Sequence, residues 1–239
     1  KNLDQPNMAP KKLFKGFSYE YGVVDNVGSK IMVSTNHGAQ NNHLISLDLN
    51  SFNSEMDYEK QWEILVPETK SLLENVTTAG GKLFLNYLQD VSSHVYQYNY
   101  DGVKEHEVEL PAIGTATGFS GYIDDKEVFF TFTSFTYPPT IYRYSIADKK
   151  VSKFRSSGVK FNPDDFTTEQ VFFTSKDGTK VPMFIVYKKG LKRDGKNPTL
   201  LYAYGGFNVN LNPGFSATRL ALLEQGAIYA MANIRGGGE

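Results

Sequence analysis

Between residues 14 and 155 one pattern recurs three times. A turn rich in Gly or Asp leads into a short apolar strand, a polar loop follows, and a second strand completes the unit. The first pass is Gly28-Ser29-Lys30, residues 31–35, a loop over 36–42 and residues 43–49. The second is Gly80-Gly81-Lys82, residues 83–88, a loop and residues 94–100. The third is Asp124-Asp125-Lys126, residues 127–135, a loop holding Pro138-Pro139, and residues 140–146. Turn residues between apolar runs mark hairpins. Each hairpin is followed by another strand-like run, at residues 62–66, 103–110 and 151–154. The unit returns roughly every 45–50 residues, the spacing of propeller blades. A blade cannot bury its own faces, and a ring takes about four to eight of them. Three do not close a ring, so the sequence is expected to be an internal piece of a longer chain. A meandering β-sandwich is the alternative that the pattern leaves open.

Composition agrees with strands and narrows the partners. The 239 residues include 15 Tyr and 17 Phe, and aromatic side chains favour sheets. Net charge is −1 with acids and bases interspersed, so no basic stripe marks a nucleic-acid surface. No apolar stretch is long enough to span a bilayer, so neither nucleic acid nor membrane is an expected partner. Cysteine is absent, which excludes disulfides, thiolate zinc sites and a cysteine nucleophile but names no compartment. The chain opens on Lys1-Asn2-Leu3 and stops at Glu239, straight after an apolar run. Both ends are read as cuts, and a cut sequence cannot report on targeting.

After Pro163 the grammar changes. Residues 169–174 and 181–187 read as a hairpin around Lys176-Asp177-Gly178-Thr179, since Asp-Gly is a strong hairpin signal. A charged loop over 188–197 precedes a buried-type strand at 199–204, which ends in Gly205-Gly206. Residues 216–225 predict a helix with Ser216 as N-cap and Gly226 as stop. Residues 227–234 predict another apolar strand, and Gly236-Gly237-Gly238 a tight turn. Strand, helix, strand is the βαβ unit of a covered sheet.

Few side chains propose chemistry. His37, His43, His94 and His106 lack metal-ligand spacing and read as surface or edge residues. Glu105 and Glu107 read as solvent-facing. Gly118-Phe119-Ser120-Gly121 misses the Gly-x-Ser-x-Gly elbow by its spacing and reads as a turn. No metal or other cofactor is implied. The informative residue is Tyr204, at the end of an apolar strand and followed by two glycines. Open α/β sheets bind ligands at such ends, and in α/β-hydrolases the loop after this early strand supplies part of the oxyanion hole. A phenol is neutral at pH 7 and donates one hydrogen bond. Aimed at an oxyanion in a dry site, it contributes about 3 kcal/mol. A strand-end tyrosine packed on a turn is the competing structural account.

Three stretches carry a family resemblance: residues 202–207, which end in Tyr204-Gly205-Gly206-Phe207, then Asn233-Ile234-Arg235-Gly236-Gly237-Gly238-Glu239, and residues 173–184. Together they resemble the bacterial-type prolyl oligopeptidase (prolyl endopeptidase) family, as does the run over 114–121. The resemblance implies the last blades of a seven-bladed β-propeller over residues 1–160, followed by the beginning of an α/β-hydrolase domain over 161–239. It implies a serine endopeptidase that cleaves short proline-containing peptides on the carboxyl side of proline through an acyl-enzyme. Tyr204 matches the oxyanion-hole tyrosine and Phe207 an aromatic wall of the proline pocket. The family's Ser-Asp-His triad has no counterpart in these residues, so the piece alone is expected to be inactive and its first partner is the remainder of the same polypeptide. A propeller-based binding or scaffold protein with an inert hydrolase-like half, and another α/β-hydrolase such as an esterase, are the rival readings.

Overall fold

The computed structural model describes Pro10 and residues 12–238. Three antiparallel meanders come first. One holds β1 (Tyr21–Val27), β2 (Lys30–Thr35), β3 (His43–Asp48) and β4 (Trp62–Val66). The next holds β5 (Leu72–Ala79), β6 (Lys82–Gln89), β7 (Ser92–Tyr98) and β8 (Lys104–Val108). The third holds β9 (Thr115–Gly118), β10 (Glu127–Thr133), β11 (Thr140–Ser145) and β12 (Lys150–Arg155). Each repeat therefore has four strands, where the sequence pattern shows three. The overlooked strands are β1, β5 and β9. Register shifts between Val23 and Asp25 and between Leu73 and Asn75 interrupt the period-2 pattern of the first two. β9 is a four-residue Thr-Ala-Thr-Gly stretch with little apolar content.

The sheets stack face to face. Leu83, Leu85 and Tyr87 of β6 join Met32, Leu44 and Val66 of the first sheet. Phe84, on the opposite face of β6, joins Phe119, Phe130 and Tyr144 of the third. Both faces of β6 are covered, so its sequence reads as a continuous apolar run rather than an alternation. Asn86 takes part by donating to Ala116 O at 3.1 Å. Between the second and third sheets lies a polar chain. Tyr144 Oη donates to Gln97 Oε1 at 2.9 Å, Gln97 Nε2 donates to Glu105 Oε2 at 2.8 Å, and Lys82 Nζ meets Glu105 Oε1 at 2.6 Å. Glu105 is thus half-buried, not solvent-facing as its polar neighbours in sequence suggested, while Glu107 is exposed. Burial alone would raise the Glu105 carboxyl, but the hydrogen bonds from Gln97 and Lys82 outweigh it and hold it below the usual range.

The fourth sheet is mixed. β13 (Phe166–Thr174) and β14 (Lys180–Lys188) form the expected hairpin. β15 (Thr199–Tyr204), α1 (Ala217–Glu224) and β16 (Ile228–Asn233) complete it in the order β13-β14-β16-β15, with β15 and β16 parallel. Ser216 caps α1 by accepting from Arg219 N at 3.4 Å, and Gly226 follows it at φ +83°. The helix packs on β14 and β16, leaving β15 at the edge. All six residues of β15 are exposed, which corrects the expectation of a buried strand: its apolar side chains have no covering layer among the described residues. Val91 and Phe135 from the meanders join Phe184, Leu223, Tyr229 and Met231 in the core of this sheet. Thr115 Oγ1 also donates to Pro213 O at 2.8 Å.

Candidate active site

β15 and β16 pair in register from Thr199↔Ile228 to Tyr204↔Asn233. Tyr204 and Asn233 therefore leave the sheet at the same level, at the carboxyl edge where open α/β sheets take ligands. Each strand runs into glycine for a steric reason. A Cβ on Gly205 would collide with the Arg235 carbonyl, and one on Gly236 with the Gly205 carbonyl. The two loops touch main chain to main chain, which only glycine permits. Hydrogen bonds close the seam. Asn208 N donates to Gly236 O at 3.0 Å, Gly238 N to Asn210 Oδ1 at 2.8 Å, and Asn233 Nδ2 to Leu211 O at 3.0 Å.

Tyr204 lies on this seam. Its ring folds back over Gly206, where a Cβ would stand 3.3 Å from the phenolic oxygen. The residue is 39 % exposed, and among the described residues its hydroxyl has no hydrogen-bond partner. It lines a cleft of about 270 Å³ together with Leu211, Asn233 and Arg235. The lining also includes residues 179–182 at the start of β14 and the Asp90-Val91 turn of the second sheet. Phe207 is elsewhere. It and Asn208 adopt φ of +54° and +56°, and the Phe207 ring stands 96 % exposed, outside that lining. Left-handed backbone at two consecutive non-glycine residues costs of order 1 kcal/mol or more each, and the bonds of the seam hold it in place.

Asp90, Lys180 and Arg235 bring charge to the cleft lining, and the Arg235 guanidinium pairs with Asp177 at the β13–β14 hairpin tip. The Thr179 backbone N–H, the Thr179 hydroxyl and Arg235 hold the Asp177 carboxyl below its ordinary range. Glu239 lies outside the described residues.

The remaining candidates sit away from the cleft. His94 pairs with Glu107 at 3.1 Å on the second sheet, and the His106 ring is parallel to that of Tyr144. His37 is wedged between Tyr21 Oη at 2.7 Å and Glu59 Oε1 at 3.1 Å, with Tyr19 stacked on it. His43 is 6 % exposed, and its Nε2 has no partner. These two correct the surface reading: both belong to the first sheet's packing, which the loop over 36–42 folds over. Burial pushes the His43 imidazole below its usual range. Ser120 is exposed in the loop after β9, next to buried Phe119. Among the described residues no group of three or more His, Cys, Asp or Glu could hold a metal, and no helix is long and apolar enough to cross a membrane.

Comparison with known proteins decides the family. The profile of "Prolyl oligopeptidase, N-terminal beta-propeller domain" matches residues 1–157. The chain belongs to the prolyl oligopeptidase family. The profile ends just past β12, so the three meanders are blades of a propeller and not a sandwich. Prolyl endopeptidase from Elizabethkingia meningoseptica is 41 % identical over 227 residues, covering 95 % of this chain and 31 % of its own length. Prolyl oligopeptidase A from Galerina marginata is 36 % identical over 98 % of this chain, again 31 % of the relative. Among solved structures, one from a study of two prolyl endopeptidases superposes with a TM-score of 0.85 at 40 % identity, covering 95 % of this chain and 33 % of that one. Prolyl oligopeptidase B from Galerina marginata, bound to a 35mer hydrolysis and macrocyclization substrate, gives 0.83 at 32 % identity, covering 95 % of this chain and 32 % of that one. The chain spans about a third of the length of the relatives it matches.

Two features of this family member's site escaped the sequence reading. The contact between Gly205 and Gly236 joins residues 31 positions apart, which only the parallel pairing of β15 with β16 reveals. The Asp90-Val91 wall comes from another sheet altogether, and nothing local marks it as part of a cleft.

Proposed function

We propose that this chain is part of a serine endopeptidase that hydrolyses short peptides on the carboxyl side of proline, with the Tyr204 hydroxyl donating to the oxyanion of the tetrahedral intermediate. The single observation that carries the reading is an unbonded phenol at the carboxyl edge of a parallel strand, inside a cleft shared with a propeller blade. Residues 1–160 are then the final blades of a seven-bladed propeller and 161–239 the beginning of an α/β-hydrolase domain. An antiparallel opening hairpin followed by a parallel pair joined through α1 supports that assignment. Phe207 offers a flat apolar ring to the proline side chain, a contact in which a polar residue would be left unpaired. Its exposure suits a wall completed by other parts of the polypeptide. So do the bare apolar side chains of β15 and the exposed Phe129, Ile141 and Phe154 on the outer face of the third blade. The nucleophile and its Asp and His are assigned to that remainder, since the 239 residues hold no Gly-x-Ser-x-Gly elbow.

Tyr204→Phe in the full-length polypeptide tests the reading. Removal of one oxyanion donor lowers kcat on a proline-containing reporter peptide about a hundredfold, with KM little changed because the interaction forms only in the transition state. An unchanged kcat overturns the assignment.

A further inference from the structure

The turn between β6 and β7 has a residue that its local geometry argues against. Gln89 pairs with Ser92, so Asp90 and Val91 form a two-residue hairpin loop. Both have positive φ, +48° and +61°. This loop type favours Asn-Gly or Gly-Gly because both positions are left-handed. The neighbouring turn of the same sheet obeys the rule: Gly80 and Gly81 stand at +59° and +68°. A β-branched residue at positive φ is an outlier, and conflicts between local and global preference gather at sites with a role.

The compensation for Val91 lies across the domain boundary. Its side chain is 4 % exposed and belongs to the core of the mixed sheet, with Phe184, Leu223 and Met231. Asp90 O accepts from Gln170 Nε2 of β13. The same two residues form a wall of the cleft that holds Tyr204. One turn thus plugs the sheet that carries the tyrosine and lines the same cleft.

We infer that the Asp90-Val91 turn is a latch fixing the blade to the mixed sheet, and that Val91 is a positioning residue for Tyr204, a role that rests on the oxyanion reading above. The apolar side chain outweighs the strained backbone because it joins two bodies.

The two accounts of Val91 predict different outcomes for Val91→Gly in the full-length polypeptide. If the turn is only a turn, glycine relieves the backbone and leaves the mixed sheet as it was. If it is a latch, glycine repairs the turn and unplugs the core. The latch predicts amide exchange on the order of tenfold faster in β16, read at Met231 and Ala232, with Val95 of β7 protected as before. Val91→Ala, which still places a non-glycine residue at positive φ but removes most of the plug, moves β16 in the same direction. A kcat loss on the order of tenfold accompanies both variants, since small displacements of a catalytic group are costly. Unchanged β16 exchange in Val91→Gly overturns the latch. Faster exchange with unchanged kcat overturns the positioning role. If Tyr204→Phe in the same protein leaves kcat unchanged, the oxyanion reading falls and the β16 exchange alone decides the latch.

Discussion

β6 and β15 are both apolar strands bounded by glycine or turn residues, yet their surroundings are opposite. In β6, Leu83 through Leu88 are all buried, because the strand has a neighbour on each edge and a sheet on each face. In β15 every residue is exposed, with one strand partner and α1 displaced toward β14 and β16. An apolar run therefore states what a strand requires of its environment, and whether that requirement is met depends on which layers are present. The blades satisfy it internally at β6. The mixed sheet does so around β14 and β16 and leaves β15 uncovered.

The sharpest test of that contrast is a pair of truncations in this chain. Phe84 is 1 % exposed and stacks on Phe119 at 5.6 Å, so Phe84→Ala should cost about 3–5 kcal/mol in denaturant unfolding. Leu201 is 65 % exposed, and Leu201→Ala should stay within about 0.5 kcal/mol. Equal losses would break the comparison. A smaller effect is expected at the seam of the mixed sheet. Gly205→Ala pushes a methyl group into the Arg235 carbonyl and should cost about 1–3 kcal/mol, the range of an overpacked site, with the blades' own protection against exchange unaltered.

The smallest effect separates the two regions by pH. His43, in the first blade, has a folded pKa below its ordinary 6.5. Its contribution is complete above that value and is lost as pH falls through the lowered folded one, where the unfolded state binds the proton more readily. Glu68 and His37 are the charged neighbours that modulate it. Asp177, in the mixed sheet, also has a lowered pKa, below 3.8, so its share survives to more acid conditions. Between pH 7 and 5 protection against exchange, taken relative to the intrinsic rate at each pH, should fall in β2 and β3 before the β13–β14 hairpin responds, and His43→Leu should remove the difference. A simultaneous response of both regions in the parent chain would contradict this.

Much of the architecture is legible in the residues because its causes are local. Gly80-Gly81 and Asp177-Gly178 dictate their turns, Ser216 and Gly226 bound the helix, and period-2 runs mark most strands. Tyr204 is legible as a candidate for the same reason, since an apolar strand and a double glycine place it at a sheet edge. β1 and β5 were hidden by bulges that interrupt alternation. The burial of His43 and Glu105 was hidden because a polar residue's surroundings come from other strands.

The repeat, the change of grammar after Pro163 and the family resemblance can all be read from the residues, because each is a property of short windows. The bare face of β15, the meeting of Gly205 with Gly236 and the place of Val91 in another sheet's core come from the packing of distant segments. Propensity acts through a residue's own dihedrals and its near neighbours. Burial, collision and desolvation act through whatever distant segments the completed chain brings within a few ångströms.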